Sequence, residues 1–126
     1  MTMHRLFRLA LLPALLAAPL AHATDPVRLS KEETQQALSG KSMTYGGRSG
    51  AQIMTFFSAD GKVTQRTLTS SRTSSGTWTV EDDGRFCLKI ISGTGSDACR
   101  HLLRTDTGFA MSTAQGGGTI TIDKLE

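Results

Sequence analysis

The chain is 126 residues long, with 14 Lys and Arg against 11 Asp and Glu, a formal net charge of +3, two cysteines and three histidines. Two of the cations, Arg5 and Arg8, precede an apolar run, so the remainder carries a net charge of only about +1. That balance gives no clustered basic footprint, so no nucleic-acid partner is expected, and the length suits a single domain.

Residues 1 to 23 read as a secretory signal peptide. Arg5 and Arg8 form its charged segment, Leu9 to Leu20 its apolar segment, and Ala21-His22-Ala23 an A-x-A cleavage site. Pro13 and Pro19 interrupt the apolar run, which falls short of the roughly 20 residues of a membrane span. It holds no cysteine for lipoprotein anchoring. Cleavage after Ala23 leaves one β domain, residues 24 to 126, expected in the periplasm or outside the cell with no membrane insertion. His4 and His22 leave with the signal, which makes His101 the one histidine of the mature chain.

After a short lead-in, Ser30-Lys31-Glu32-Glu33 forms a capping box. The Ser hydroxyl accepts the Glu33 N–H, and the Glu33 carboxylate reaches back to Ser30. Ala37 and Leu38 supply a narrow apolar face and Gly40 a C′ residue, predicting one helix of about nine residues. Such a helix persists only when docked, and its expected task is to close one end of the domain.

From Lys41 onward the composition is that of β structure, with turn clusters every 8 to 12 residues. Eight strands are predicted, at 41–45, 51–58, 62–69, 76–81, 85–91, 98–105, 109–114 and 119–124. No connection has room for a crossover helix, so neighbours pair antiparallel in a meander that forms a small barrel or a curled sheet.

Ala59-Asp60-Gly61, Asp82-Asp83-Gly84 and Asp106-Thr107-Gly108 each fit a three-residue hairpin loop ending in a left-handed Gly. The middle loop pairs Val80 with Phe86 and Trp78 with Leu88, turning Trp78, Val80, Phe86, Leu88 and Ile90 to the core. The last loop pairs Thr105 with Phe109 and Leu103 with Met111, which puts Cys99 and His101 on the Leu103 face. Cys87 points away from the Trp78 face, so this register conflicts with a Cys87–Cys99 bridge. A β-bulge or break within 98–105 is therefore expected.

Cys87 and Cys99 are the only cysteines of a chain read as exported, and a structural disulfide follows from the oxidising compartment. Their spacing is far longer than a redox Cys-x-x-Cys. Two cysteines and one histidine fall short of zinc's four ligands, and no metal or cofactor is expected. Gly93-Thr94-Gly95 lacks the Gly-Lys-Ser/Thr ending of a phosphate loop, and the Asp residues sit in turns that favour them. The residues proposed for ligand binding are Arg100, Arg104 and His101. Arg100 and Arg104 share a strand face, and guanidinium groups suit carboxylate or phosphate partners.

Gly40, Phe57-Ser58-Ala59-Asp60-Gly61, Gly76-Thr77-Trp78, Cys87 and Cys99 together form a pattern. On it the chain resembles a family of small exported proteobacterial β-rich proteins of unknown function. The resemblance implies a compact β domain outside the cytoplasm and brings no activity with it. Gly-Thr-Trp is also similar to the motif that opens the first strand of lipocalins and avidins. Here it falls mid-chain, so neither ligand is carried over. Ser49-Gly50-Ala51 is similar to part of the inhibitory loop of periplasmic lysozyme inhibitors, without the aromatic residues that follow there. The expected function is a non-catalytic exported domain that binds a small ligand or a protein of the cell envelope. The alternatives are a hydrolase inhibitor using a protruding loop at 46–50 or 70–76, and an enzyme built on His101 and an acidic neighbour.

Overall fold

A computed structural model describes residues 25–47 and 50–126. The signal-peptide reading of residues 1 to 23 lies outside the described residues.

The elements follow one another as β1 (Val27–Arg28), α1 (Lys31–Leu38), β2 (Lys41–Gly46), β3 (Gln52–Phe57), β4 (Lys62–Thr67), β5 (Thr73–Val80), β6 (Arg85–Gly93), β7 (Ala98–Thr105), β8 (Gly108–Ser112) and β9 (Thr119–Leu125). Strands β2 to β9 each pair antiparallel with the next. Strand β9 also pairs with β2, so these eight strands close into a barrel. The extra strand β1 pairs antiparallel with the C-terminal half of β7, Val27 opposite Arg104 and Arg28 opposite Leu103. Closure leaves the ring without the unpaired backbone edge of an open sheet.

Helix α1 forms where its cap predicts. Ser30 Oγ accepts the Glu33 N–H at 3.2 Å and Glu33 Oε1 accepts the Ser30 N–H at 3.1 Å. Thr34 and Leu38 are buried, and α1 lies against β2, β5 and β6. Its neighbours are the start of β2, the β5–β6 turn through Lys31–Asp82 at 2.9 Å, and the end of β7 through Glu33–Arg104 at 3.8 Å. The helix therefore covers the end of the barrel where the tight turns lie. The longer connections at 68–72, 94–97 and 113–118 gather at the other end, where Gly47 lines a recess with Thr113, Ala114 and Gln115.

Inward positions near the helix are apolar. Leu38, Met43, Phe57, Val63, Trp78, Phe86 and Leu102 form the buried floor of the barrel. Phe57 meets Trp78 and Phe86 edge-on, with ring centroids 5.3 and 5.8 Å away. The Trp78 indole N–H donates to the Ser58 carbonyl at 2.8 Å, satisfying its one polar atom.

The first two hairpin loops take the expected form. Ser58 N–H donates to the Lys62 carbonyl and Glu81 N–H to the Arg85 carbonyl, with Gly61 at φ 91° and Gly84 at φ 89°. Val80 pairs with Phe86 and Trp78 with Leu88. The third loop is corrected. Thr105 pairs with Gly108 and Leu102 with Met111, leaving a two-residue turn at Asp106-Thr107. This slip of one residue exchanges the faces of β7: Leu102, not Leu103, joins Met111 inside, and Cys99 turns outward.

That register removes the need for a break in 98–105. Cys99 lies directly opposite Cys87, with Cα atoms 4.0 Å apart, and the two form a disulfide on the outer face. The bulges fall elsewhere. One extra residue, Ile91, enters β6 opposite Ser75 and Gly76, and another, Asp123, enters β9 opposite Thr44 and Tyr45. The first strand boundary of this region also shifts: β5 begins at Thr73, because Thr73, Ser74 and Ser75 pair with β4 despite their turn-like composition.

Candidate functional site

Above the apolar floor the inward positions become polar. Thr55, Gln65 and Ser74 lie side by side on β3, β4 and β5, and Gln65 Nε2 donates to Thr55 Oγ1 at 3.2 Å. On β7, on the far side of the ring from β3, Arg100 pairs with inward-facing Phe86 and so points inward itself. These residues, with Tyr45 of β2, line a cavity of about 310 Å³ that reaches the end where the longer connections gather. Arg72 and Asp97 stand at its rim, and Met43, Phe57, Phe86, Leu88 and Met111 form its base. A second recess, of about 480 Å³, adjoins it and shares Tyr45, Ile53, Arg100 and Ala114.

Arg100 is held by its backbone and by one hydrogen bond, from NH1 to the Ser112 carbonyl at 3.1 Å. Among the described residues no carboxylate forms an ion pair with it. Asp97 is engaged with the main chain: its Oδ1 accepts the Ile90 N–H at 2.8 Å and ties the 94–97 connection to β6. Burial pushes the Tyr45 phenol above its ordinary value of 10.0, while hydrogen bonding to Thr55 and the charge of Arg100 pull the other way. The phenol therefore stays protonated, a neutral donor near the guanidinium.

The three residues singled out in the sequence do not come together. Arg104 shares inward parity with Arg100 but sits at the helix end of the barrel beside Glu33. His101 lies on the outer face, opposite Arg85, in a shallow groove with Arg28 and Asp83. Burial, and then the charge of Arg28, hold its imidazole below the ordinary value of 6.5, against an upward pull from Asp83. Among the described residues His101 Nδ1 has no hydrogen-bond partner. Both Asp83 oxygens serve Arg85 instead, with Oδ1 accepting its backbone N–H at 3.1 Å and Oδ2 its Nε–H at 2.7 Å. Among the described residues that line the groove, none holds the imidazole by a hydrogen bond to Nδ1.

Tyr45, Thr55, Gln65 and Ser74 escaped the sequence reading. Their signal was present as polar residues at inward parity, in Met43-Thr44-Tyr45, Ile53-Met54-Thr55 and Val63-Thr64-Gln65. Of the two candidate inhibitory loops, 70–76 lies largely within β5, and Arg48 and Ser49 of 46–50 lie outside the described residues. Among the described residues no helix is long and apolar enough to cross a membrane, and no group of three metal-ligating side chains comes together. No protein-family model and no curated protein matches this chain, so the meaning of the site rests on its own geometry.

Proposed function

We propose that this chain is a non-catalytic exported binding domain whose barrel cavity takes a small ligand in the cell envelope. One observation carries the reading: a cavity of about 310 Å³ with an apolar base and a few polar groups at its upper wall, reached from one end of a closed barrel. That volume lies at the lower end of the ~300–1,000 Å³ usual for small-molecule sites, and eight-stranded barrels have an interior of the right width for one small ligand. Export is part of the same proposal. It is supported by the Cys87–Cys99 disulfide and by the charged, apolar and A-x-A segments before Thr24, as is kinship with exported β proteins.

The test is native mass spectrometry of protein recovered from the periplasm or medium. A retained small molecule, released on denaturation, is the expected result, together with an N-terminus near Thr24 on Edman sequencing. Protein recovered only from the cytoplasm with Met1 intact contradicts export. Protein that carries no small molecule, and whose cavity resonances stay unmoved across an envelope-metabolite screen, contradicts the binding reading.

A further inference from the structure

The charges around the cavity do not balance. Arg100 and Arg72 line it with Asp97, and Asp97 already accepts a main-chain N–H. Arg100 spends one of its five N–H donors on the Ser112 carbonyl and has no ion-pair partner among the described residues. A cation in a partly buried, low-dielectric wall is costly unless paired. The strand pairing leaves it no choice of direction, because Phe86 and Leu102 fix β7 with Arg100 inward.

We infer, resting on the ligand-binding reading above, that the cavity is selective for a small carboxylate with an apolar body. The guanidinium fork of Arg100 receives the carboxylate, Tyr45 offers a neutral hydroxyl beside it, and Met43, Phe57, Phe86, Leu88 and Met111 take the apolar body. Arginine matches a carboxylate with two parallel hydrogen bonds, a geometry an alcohol or an ammonium group does not satisfy. Size sets the scale: a cavity of about 310 Å³ lies at the lower end of the ~300–1,000 Å³ usual for small-molecule sites, which suits a probe with a short alkyl chain.

Octanoate, octan-1-ol and octylammonium share one chain and differ in the head group, and their affinities are measured by calorimetry. Octanoate is expected to bind at least about tenfold more tightly than octanol, the ratio that one charge-assisted hydrogen bond supplies. In Arg100→Gln the ratio should collapse toward one, while Arg66→Gln, on an exposed outward position of β4, should keep it. The Arg100 side-chain Nε–H resonance of the unmutated protein should also move with octanoate and not with octanol, a readout that stands even where Arg100→Gln fails to fold. Octanol binding as tightly as octanoate, or octylammonium binding more tightly, overturns the carboxylate inference and leaves the cavity reading intact. An unmoved Arg100 resonance with octanoate bound does the same. Failure of all three probes to bind overturns the inference of a small carboxylate with an apolar body, while the cavity reading stands or falls on the retained-molecule and metabolite-screen test above.

Discussion

At the scale of single residues, Gly76 and Trp78 are positions where the barrel tolerates little change. Gly76 lies at the β6 bulge, where β5 and β6 approach so closely that a Cβ would overlap the Lys89 carbonyl oxygen and reach 3.0 Å from the Ile90 Cα. Backbone cannot yield as a side chain does, so Gly76→Ala should cost at least the ~1–3 kcal/mol typical of overpacking. Trp78, only 4% exposed, packs edge-on against Phe57 and anchors its N–H on Ser58. Trp78→Ala should cost ~3–5 kcal/mol, a large share of the 5–15 kcal/mol that holds an ordinary domain together. Urea titration measures both. A midpoint unchanged by either substitution would mean that the β5–β6 packing is not as described.

At the scale of the element, α1 depends on its first turn. Ser30→Ala removes one hydrogen bond of the capping box and should destabilise the protein by about 1 kcal/mol. The same box holds the Glu33 carboxyl below its ordinary value of 4.5, first through the Ser30 backbone N–H and then through the Ser30 hydroxyl. In the β5–β6 turn the Arg85 backbone N–H, and less strongly its side chain, hold Asp83 below 3.8. A depressed carboxylate binds fewer protons folded than unfolded. Its contribution is therefore complete above the ordinary value and is lost as pH falls through the lower folded value. The melting temperature should fall as pH drops from above 4.5 through 3.8 and below, with a smaller Glu33 share of that fall in Ser30→Ala. A melting temperature flat across that range would show that neither cap nor turn bonds the ionised carboxylates.

At the scale of the whole molecule, the ring closes by non-local pairing, and the disulfide reinforces one seam of it. Cys87 and Cys99 are 12 residues apart and join β6 to β7 below the 94–97 connection at the cavity rim. For a loop of this size the chain-entropy model assigns about 3 kcal/mol to the bridge. Reduction should lower the melting temperature measurably and increase hydrogen exchange in the 94–97 connection before the helix end of the barrel. Equal melting with and without reductant would show that the barrel does not draw on the bridge for stability.

Local chemistry made much of this architecture legible in the sequence. The capping box, the left-handed glycines after Asp60 and Asp83, and the absence of any crossover segment determine one helix, eight strands and a meander, because each acts over a few neighbouring residues. The Trp78, Phe86 and Leu88 face follows from the same turn. Asp106-Thr107-Gly108 is compatible with two loop lengths, and only the packing of Leu102 and Met111 inside the barrel selects the shorter one. That single step turns Cys99 outward to meet Cys87 and Arg100 inward to the cavity, and it places His101 on the outer surface. Closure likewise decided the site. Thr55 of β3 stands across the ring from Arg100 of β7 because β9 joins β8 back to β2, a relation that no stretch of local sequence contains.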